Sequence, residues 1–161
     1  MRKASAIALA TAAVTAAQWI GGQRRPTPDQ PRTAAWYFSL RKPGFTPPPP
    51  AFAVAWTGLS ALLAYSGYRL LTRPSSPARA RALTAWSANL VGIASFSWVL
   101  FGRKQLGEAL GVTLGMATAS ATAAATASRV DRRAELATLP LVAWTGFAVL
   151  LQEEVWRRNR D

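Results

Sequence analysis

The chain contains no cysteine and no histidine, and only 7 of its 161 residues are acidic. The first two absences exclude disulfides, thiol nucleophiles, cysteine- or histidine-ligated zinc and histidine general acid–base catalysis. A haem iron would find neither of its usual strong ligands, so a tetrapyrrole would be held by its ring and carboxylates, and no cofactor is expected. Charge of either sign is scarce, at 16% against 50% hydrophobic residues, yet the net charge is +12. In a soluble protein such a balance points to nucleic acid. Here the placement of the charges decides otherwise.

All 19 basic and 7 acidic residues fall outside five windows, at 4–23, 43–68, 82–102, 109–128 and 136–152. Each window is of a length that spans the roughly 30 Å hydrocarbon core as a helix. A soluble helix would show a charge every few residues. The chain therefore reads as a single all-α domain, a five-transmembrane-helix bundle with helices near 4–20, 51–71, 79–101, 106–128 and 135–158. It is expected in a bacterial cell membrane, in contact with lipid and not with nucleic acid. The mean hydropathy is only +0.10, because helices one and four are rich in Ala and Thr and the connections are rich in Arg. Arg2-Lys3 followed by an Ala-rich run also fits a cleavable leader ending near Ala17. Against a leader, the apolar stretch continues through Trp19 and Ile20 to Gly22. Basic residues number nine on one side of the bundle and ten on the other, so charge asymmetry leaves the orientation undecided.

Residues 23–50 form a proline-rich loop whose first part reads as a flexible linker. Its end is different. Trp36-Tyr37-Phe38-Ser39-Leu40-Arg41-Lys42-Pro43-Gly44-Phe45-Thr46-Pro47-Pro48 puts aromatic rings at headgroup level, a basic pair beside phosphates and a proline stop before the next helix. In helix five, Trp144 and Phe147 lie three apart on one face, where large rings either fill a core or line a cavity. Asn89 sits in mid-span and must find a partner, either across helices or on a ligand. In helix four, Gly107, Gly111, Gly115 and Ala119 recur every four residues, continued by Ala123 and Ala127. That strip lets another helix approach closely, from the same bundle or from a second chain in a homodimer.

Three blocks carry a family resemblance. The first runs from Trp36 to Pro48 as quoted and continues through Trp56-Thr57 and Leu59. The second is Phe101-Gly102-Arg103-Lys104-Gln105-Leu106-Gly107, followed by Ala109-Leu110. The third is Pro140-Leu141-Val142-Ala143-Trp144-Thr145-Gly146-Phe147-Ala148, continuing to Trp156 and Asn159. In order and spacing they resemble the TspO/translocator protein family of tryptophan-rich sensory proteins. The resemblance implies a five-helix membrane bundle with a cavity closed by the long first loop. It also implies binding of tetrapyrroles or other flat apolar molecules, and a homodimer. By position, Trp36, Pro47, Trp56, Trp144, Phe147, Ala148 and Leu151 would line or lid that cavity, joined by Asn89 and Phe96 from helix three. The sequence departs from the family at several of its usual places. Asn89, Ile93 and Phe96 stand where the family usually has Gln, Asn and Trp, and Leu141 follows the helix-five proline in place of Tyr.

The expected function is binding of a porphyrin-like or lipid-like molecule between helices, in a sensor, carrier or regulator. Two alternatives stay open. A small ion-coupled transporter would need ionisable residues inside the spans, and the five windows hold none. A structural or partner-binding membrane protein would rest on the helix-four strip. No catalytic residue is assigned, because no buried carboxylate pair or nucleotide loop offers one, and an enzyme is not expected.

Overall fold

A computed structural model describes residues 2–160, and every regular element among them is helical. The order is α1 (Lys3–Gly22), α2 (Pro31–Ser39), α3 (Pro49–Leu71), α4 (Pro77–Ser97), α5 (Leu106–Ala127) and α6 (Arg132–Arg158). At its end α4 widens into a π-helical turn, Trp98–Gly102, closed by the Arg103 N–H donating to the Trp98 carbonyl at 2.9 Å. Proline opens α2, α3 and α4, where its fixed φ suits a first turn that lacks N–H acceptors anyway.

Four helices are long and apolar enough to cross a membrane: α1, α4 with its π extension, α5 and α6. The fifth, α3, has the length at 23 residues, but Pro49, Pro50, Ser60, Tyr65, Ser66 and Tyr68 dilute its apolar content. The expected count of five spans thus becomes five long helices, four of which qualify by composition. The long loop also differs from expectation. Residues 31–39 fold as α2, because Pro31 starts a turn that Tyr37 anchors on the π segment, its ring 5.4 Å from that of Phe101.

The long helices form a closed ring. α1 packs on α3 and α4, α4 on α5, α5 on α6, and α6 back on α3. Lipid gives no hydrophobic drive between helices, so small residues and side-chain hydrogen bonds must supply the contact. α1 buries Ala6, Ala10, Val14, Ala17 and Gly21. At Gly21 a Cβ would stand 2.6 Å from the Ile93 carbonyl oxygen, so only glycine lets α1 and α4 meet there. At Gly67 a Cβ would stand 2.5 Å from the Trp86 ring. That closeness lets the buried Trp86 donate its indole N–H to the Leu63 carbonyl at 2.9 Å, which ties α4 to α3. Hydroxyls join the remaining seams. Ser66 meets Thr138 at 3.0 Å between α3 and α6, and Ser120 meets Thr145 at 2.8 Å between α5 and α6.

Asn89 is fully buried, at 0% exposure, but it makes no interhelical bond. Its amide N–H donates to the Ala85 carbonyl of its own helix at 3.0 Å, and its oxygen has no partner among the described residues.

One end of the bundle is locked by Asp131, the N-cap of α6. Its carboxylate accepts from the Arg133 and Ala134 N–H groups at 2.8 and 3.1 Å. It also accepts from the Arg69 Nη2 at 2.7 Å and from the Arg73 Nε at 2.5 Å. Burial by itself would raise this carboxyl, but the hydrogen bonds from Arg69, Arg73 and the Ala134 N–H outweigh it and hold the pKa at about 2. Beside this clamp, Arg79 donates to the Leu70 carbonyl at 3.0 Å and to the Leu71 carbonyl at 3.3 Å, so it satisfies the end of α3.

Asp131→Asn keeps the cap and removes the charge. It should lower the stability of the detergent-solubilised protein by about 3 kcal/mol, as expected when a buried ion pair loses one partner, measured as a fall in the thermal midpoint of helicity. A carboxyl held below its ordinary 3.8 takes up its proton more readily in the unfolded chain. The clamp's contribution is therefore complete above roughly pH 5 and lost as pH falls toward 2. An Asp131→Asn protein should lack that part of the acid sensitivity.

Candidate functional site

On α3, Val54, Ala55, Gly58, Leu59 and Leu62 share one face at helical spacing. On α6, Pro140, Ala143, Trp144 and Phe147 share another. The two faces oppose each other across a groove of 640 Å³, with Pro47 from the loop at its rim. That volume lies within the usual range of small-molecule sites, about 300–1,000 Å³. The groove is open to the outside of the bundle, as the 75% exposure of Val54 shows. Its lining contains no charged side chain.

The orientation of α6 follows from its inward, buried stripe, where Thr145 meets Ser120 of α5 and Thr138 meets Ser66 of α3. These contacts turn Trp144 toward α3, where its ring meets Phe52 at 5.7 Å and Trp56 at 6.5 Å, both nearly perpendicular. Phe147 continues the cluster 5.7 Å from Trp144, and Phe45 of the loop reaches Phe147 at 6.2 Å. Edge-to-face pairs of this kind add to burial and fix ring positions.

Of the residues expected at the site, the structure brings Pro47, Trp144 and Phe147 into the groove lining and places Trp56 directly behind Trp144. Ala148 and Leu151 are half-buried further along α6, outside the lining. Asn89 and Phe96 lie on α4 in or against the packed core and do not reach the groove. Trp36 is on α2 at the far corner, with the Lys104 ammonium 5.6 Å from its ring. The expected set is thus divided, with Pro47, Trp144 and Phe147 at a lateral groove and Trp36, Asn89 and Phe96 away from it. Gly58 and Pro140 line the groove, Phe45 and Phe52 pack on the rings of Phe147 and Trp144, and none of the four was among the expected residues. Their signal was present, since Phe52, Trp56 and Leu59 follow a helical repeat and Pro140 lies one turn before Trp144.

The strip on α5 divides in two. Gly111 and Gly115 are exposed, and a Cβ at either would meet nothing within 4 Å. Gly107 lies under the Trp156 indole, Ala119 is half-buried, and Ala123 and Ala127 are buried inside the bundle.

The loop that carries Phe45 and Pro47 is held from the far end of α6. Asn159 accepts from the Arg41 N–H at 3.0 Å and donates to the Arg41 carbonyl at 2.9 Å, so its amide pairs like a strand with that residue. Lys42 is turned inward, away from the headgroup position expected for it. Its ammonium donates to the Tyr37 carbonyl at 2.5 Å and lies 4.4 Å from the Tyr37 ring, where burial lowers its pKa from the usual lysine value. Asn159→Leu removes both bonds to Arg41. Tryptic cleavage after Arg41 should then run about tenfold faster than in the wild type, the change expected for a local opening made easier by about 1.4 kcal/mol, as read by mass spectrometry of timed digests.

The TspO/MBR family profile matches residues 7–157. The chain is 32% identical over 126 residues to protein CrtK of Rhodobacter capsulatus, covering 78% of this chain and 79% of that one. It is 30% identical over 124 residues to the tryptophan-rich sensory protein of Cereibacter sphaeroides, covering 77% of each. It is also 30% identical over 129 residues to the translocator protein of Bos taurus, covering 78% of this chain and 75% of that one. The second and third of these relatives carry the names of a sensory and a translocator protein, and the bacterial ones accord with the expected bacterial membrane. With four helices able to cross a membrane and a family match across most of its length, the chain is an integral membrane protein that belongs to the TspO/MBR family.

Proposed function

We propose that this protein binds a flat apolar molecule in the groove between α3 and α6, and that α3 crosses the membrane with the other four long helices. The observation that supports this reading is the groove itself. It is apolar, of ligand size, open toward the bilayer and walled at one end by the Phe45–Phe147–Trp144 rings. A neutral lipid-like molecule fits it whole. A tetrapyrrole fits by its ring face, with its carboxylates left outside a lining that holds no cation. Entry is lateral, from the membrane, so the molecule need not cross water, and occupancy of the groove would be what a sensor, carrier or regulator responds to. The open strip at Gly111 and Gly115 leaves room for a second copy on α5. That homodimer reading rests on the strip alone, and a purified particle holding one chain would reject it.

Gly58→Leu fills the groove floor without disturbing the fold, because a Cβ there meets nothing within 4 Å. Tryptophan emission of the wild type should be quenched saturably by protoporphyrin IX dimethyl ester, at least as tightly as by the free diacid. Gly58→Leu should weaken both by about tenfold or more, the change expected for a loss of ~1.4 kcal/mol. Quenching that is linear in ligand, or equal in the two proteins, would reject the groove as the site.

A further inference from the structure

The two ends of the bundle carry their charge differently. α1, α4 and α6 begin at the end where α3 and α5 finish, the end closed by the Asp131 clamp. Nine basic residues stand there against two carboxylates, Asp131 and Glu135. Those carboxylates are taken by Arg69, Arg73 and Arg132. Arg79 gives its donors to the last carbonyls of α3. Arg2, Lys3, Arg81, Arg129 and Arg133 are exposed, and among the described residues their side chains have no ion-pair partner.

At the opposite end the cations meet rings. Arg24 lies 4.4 Å from the Trp98 ring, Lys104 5.6 Å from Trp36 and Arg160 5.4 Å from Trp156. At the Asp131 end no cation stacks on a ring among the described residues, and the one tryptophan toward that end, Trp86, is buried. Membrane proteins ordinarily carry an aromatic belt at both interfaces. Here one belt is replaced by arginine.

The free cations also oppose the helix dipoles. Lys3 opens α1, Arg79 and Arg81 lie in the opening turns of α4, and neither helix has an acidic residue in its first turn. Arg133 lies in the first turn of α6. A helix N-terminus carries partial positive charge and favours an anion. Packing beneath gathers three of these cations. Ala82, Ala127 and Ala134 are each 0% exposed and belong to one buried cluster. Arg81, Arg129 and Arg133 follow or precede them by one or two positions, on α4 and on either side of the α5–α6 turn.

We propose that this face docks on the headgroups of anionic phospholipids, with Arg81, Arg129 and Arg133 at its centre. A headgroup phosphate offers two oxygens to one guanidinium. Its charge relieves both the repulsion among the arginines and their unfavourable placement at helix N-termini. Phosphocholine brings an ammonium along with its phosphate and cancels most of that gain. The surface lies apart from the α3–α6 groove and stands whether or not the groove holds a ligand.

The test incubates the detergent-purified full-length protein with equal amounts of phosphatidylglycerol and phosphatidylcholine of the same acyl chains. Excess lipid is removed by gel filtration, and the retained lipid is quantified by mass spectrometry. The wild type should retain phosphatidylglycerol over phosphatidylcholine by about fivefold or more, the factor that one surface cation supplies. A triple variant, Arg81→Gln with Arg129→Gln and Arg133→Gln, leaves the Asp131 clamp whole and should bring the two lipids close to parity. Removing the same charge at the other end, by Arg24→Gln with Lys104→Gln and Arg160→Gln, should leave the preference in place. Equal retention of the two lipids by the wild type overturns the proposal. Equal loss of preference in both triple variants also overturns it, since net charge and not this face would then select the lipid.

Discussion

Helices in a bilayer gain nothing from hiding apolar surface from one another, so this bundle depends on backbones that come close enough to touch. Gly21 against the Ile93 carbonyl, Gly67 under the Trp86 ring and Gly92 against the Met116 side chain are the three tightest expressions of that constraint. Where a Cβ would intrude, the chain has glycine. Where helices stand slightly further apart, Ser66 with Thr138 and Ser120 with Thr145 bridge the gap by hydroxyl contacts. Trp86 belongs to the same scheme, since it can donate to the Leu63 carbonyl only because Gly67 makes room.

The α3–α6 seam shows what happens when that constraint is relaxed along one interface. Near the Asp131 clamp the two helices are joined by an ion pair and by the Ser66–Thr138 contact. Beyond Leu62 and Pro140 the small hydroxylated residues give way to aromatic rings, and the seam becomes the groove. The rings are held by neighbours on three sides: α5 through Thr145, α3 through Trp56, and the loop through Phe45. Asn159 links that loop to α6 itself, so the helix that forms one wall also sets the position of the rim.

Much of the scaffold was legible in the sequence. Charge-free windows of spanning length located all five long helices within a few residues, because charge is too costly in hydrocarbon to appear there by accident. The short α2 was hidden by its prolines, which argue for a loop until one of them falls at a first helical turn, as Pro31 does. Asp131 looked like one charge in a basic turn. Its importance depends on Arg69 at the end of α3 and Arg73 in the turn after it, some 60 residues away in the chain. The site was half legible. Trp144, Phe147 and Pro47 stood out by residue type and by resemblance, and they do meet. Which faces of α3 and α6 oppose each other, and that they do so on the outside of the bundle, follows from the ring order of the helices, which periodicity does not encode. Asn89 marked the expected interior cavity, yet it is packed among Trp86, Ile93 and their neighbours, with one oxygen unpaired.

The central claim is that the ligand lies in the lateral groove and not within the helix ring. A pyrene probe carrying a photoactivatable diazirine, irradiated with the wild-type protein in nanodiscs and mapped by mass spectrometry, tests this directly. The account predicts label on the α3 and α6 walls, at residues 54–62 and 140–147, removable by excess unmodified probe. Competable label concentrated on α4 around Asn89 and Phe96, with those walls unmodified, would contradict it.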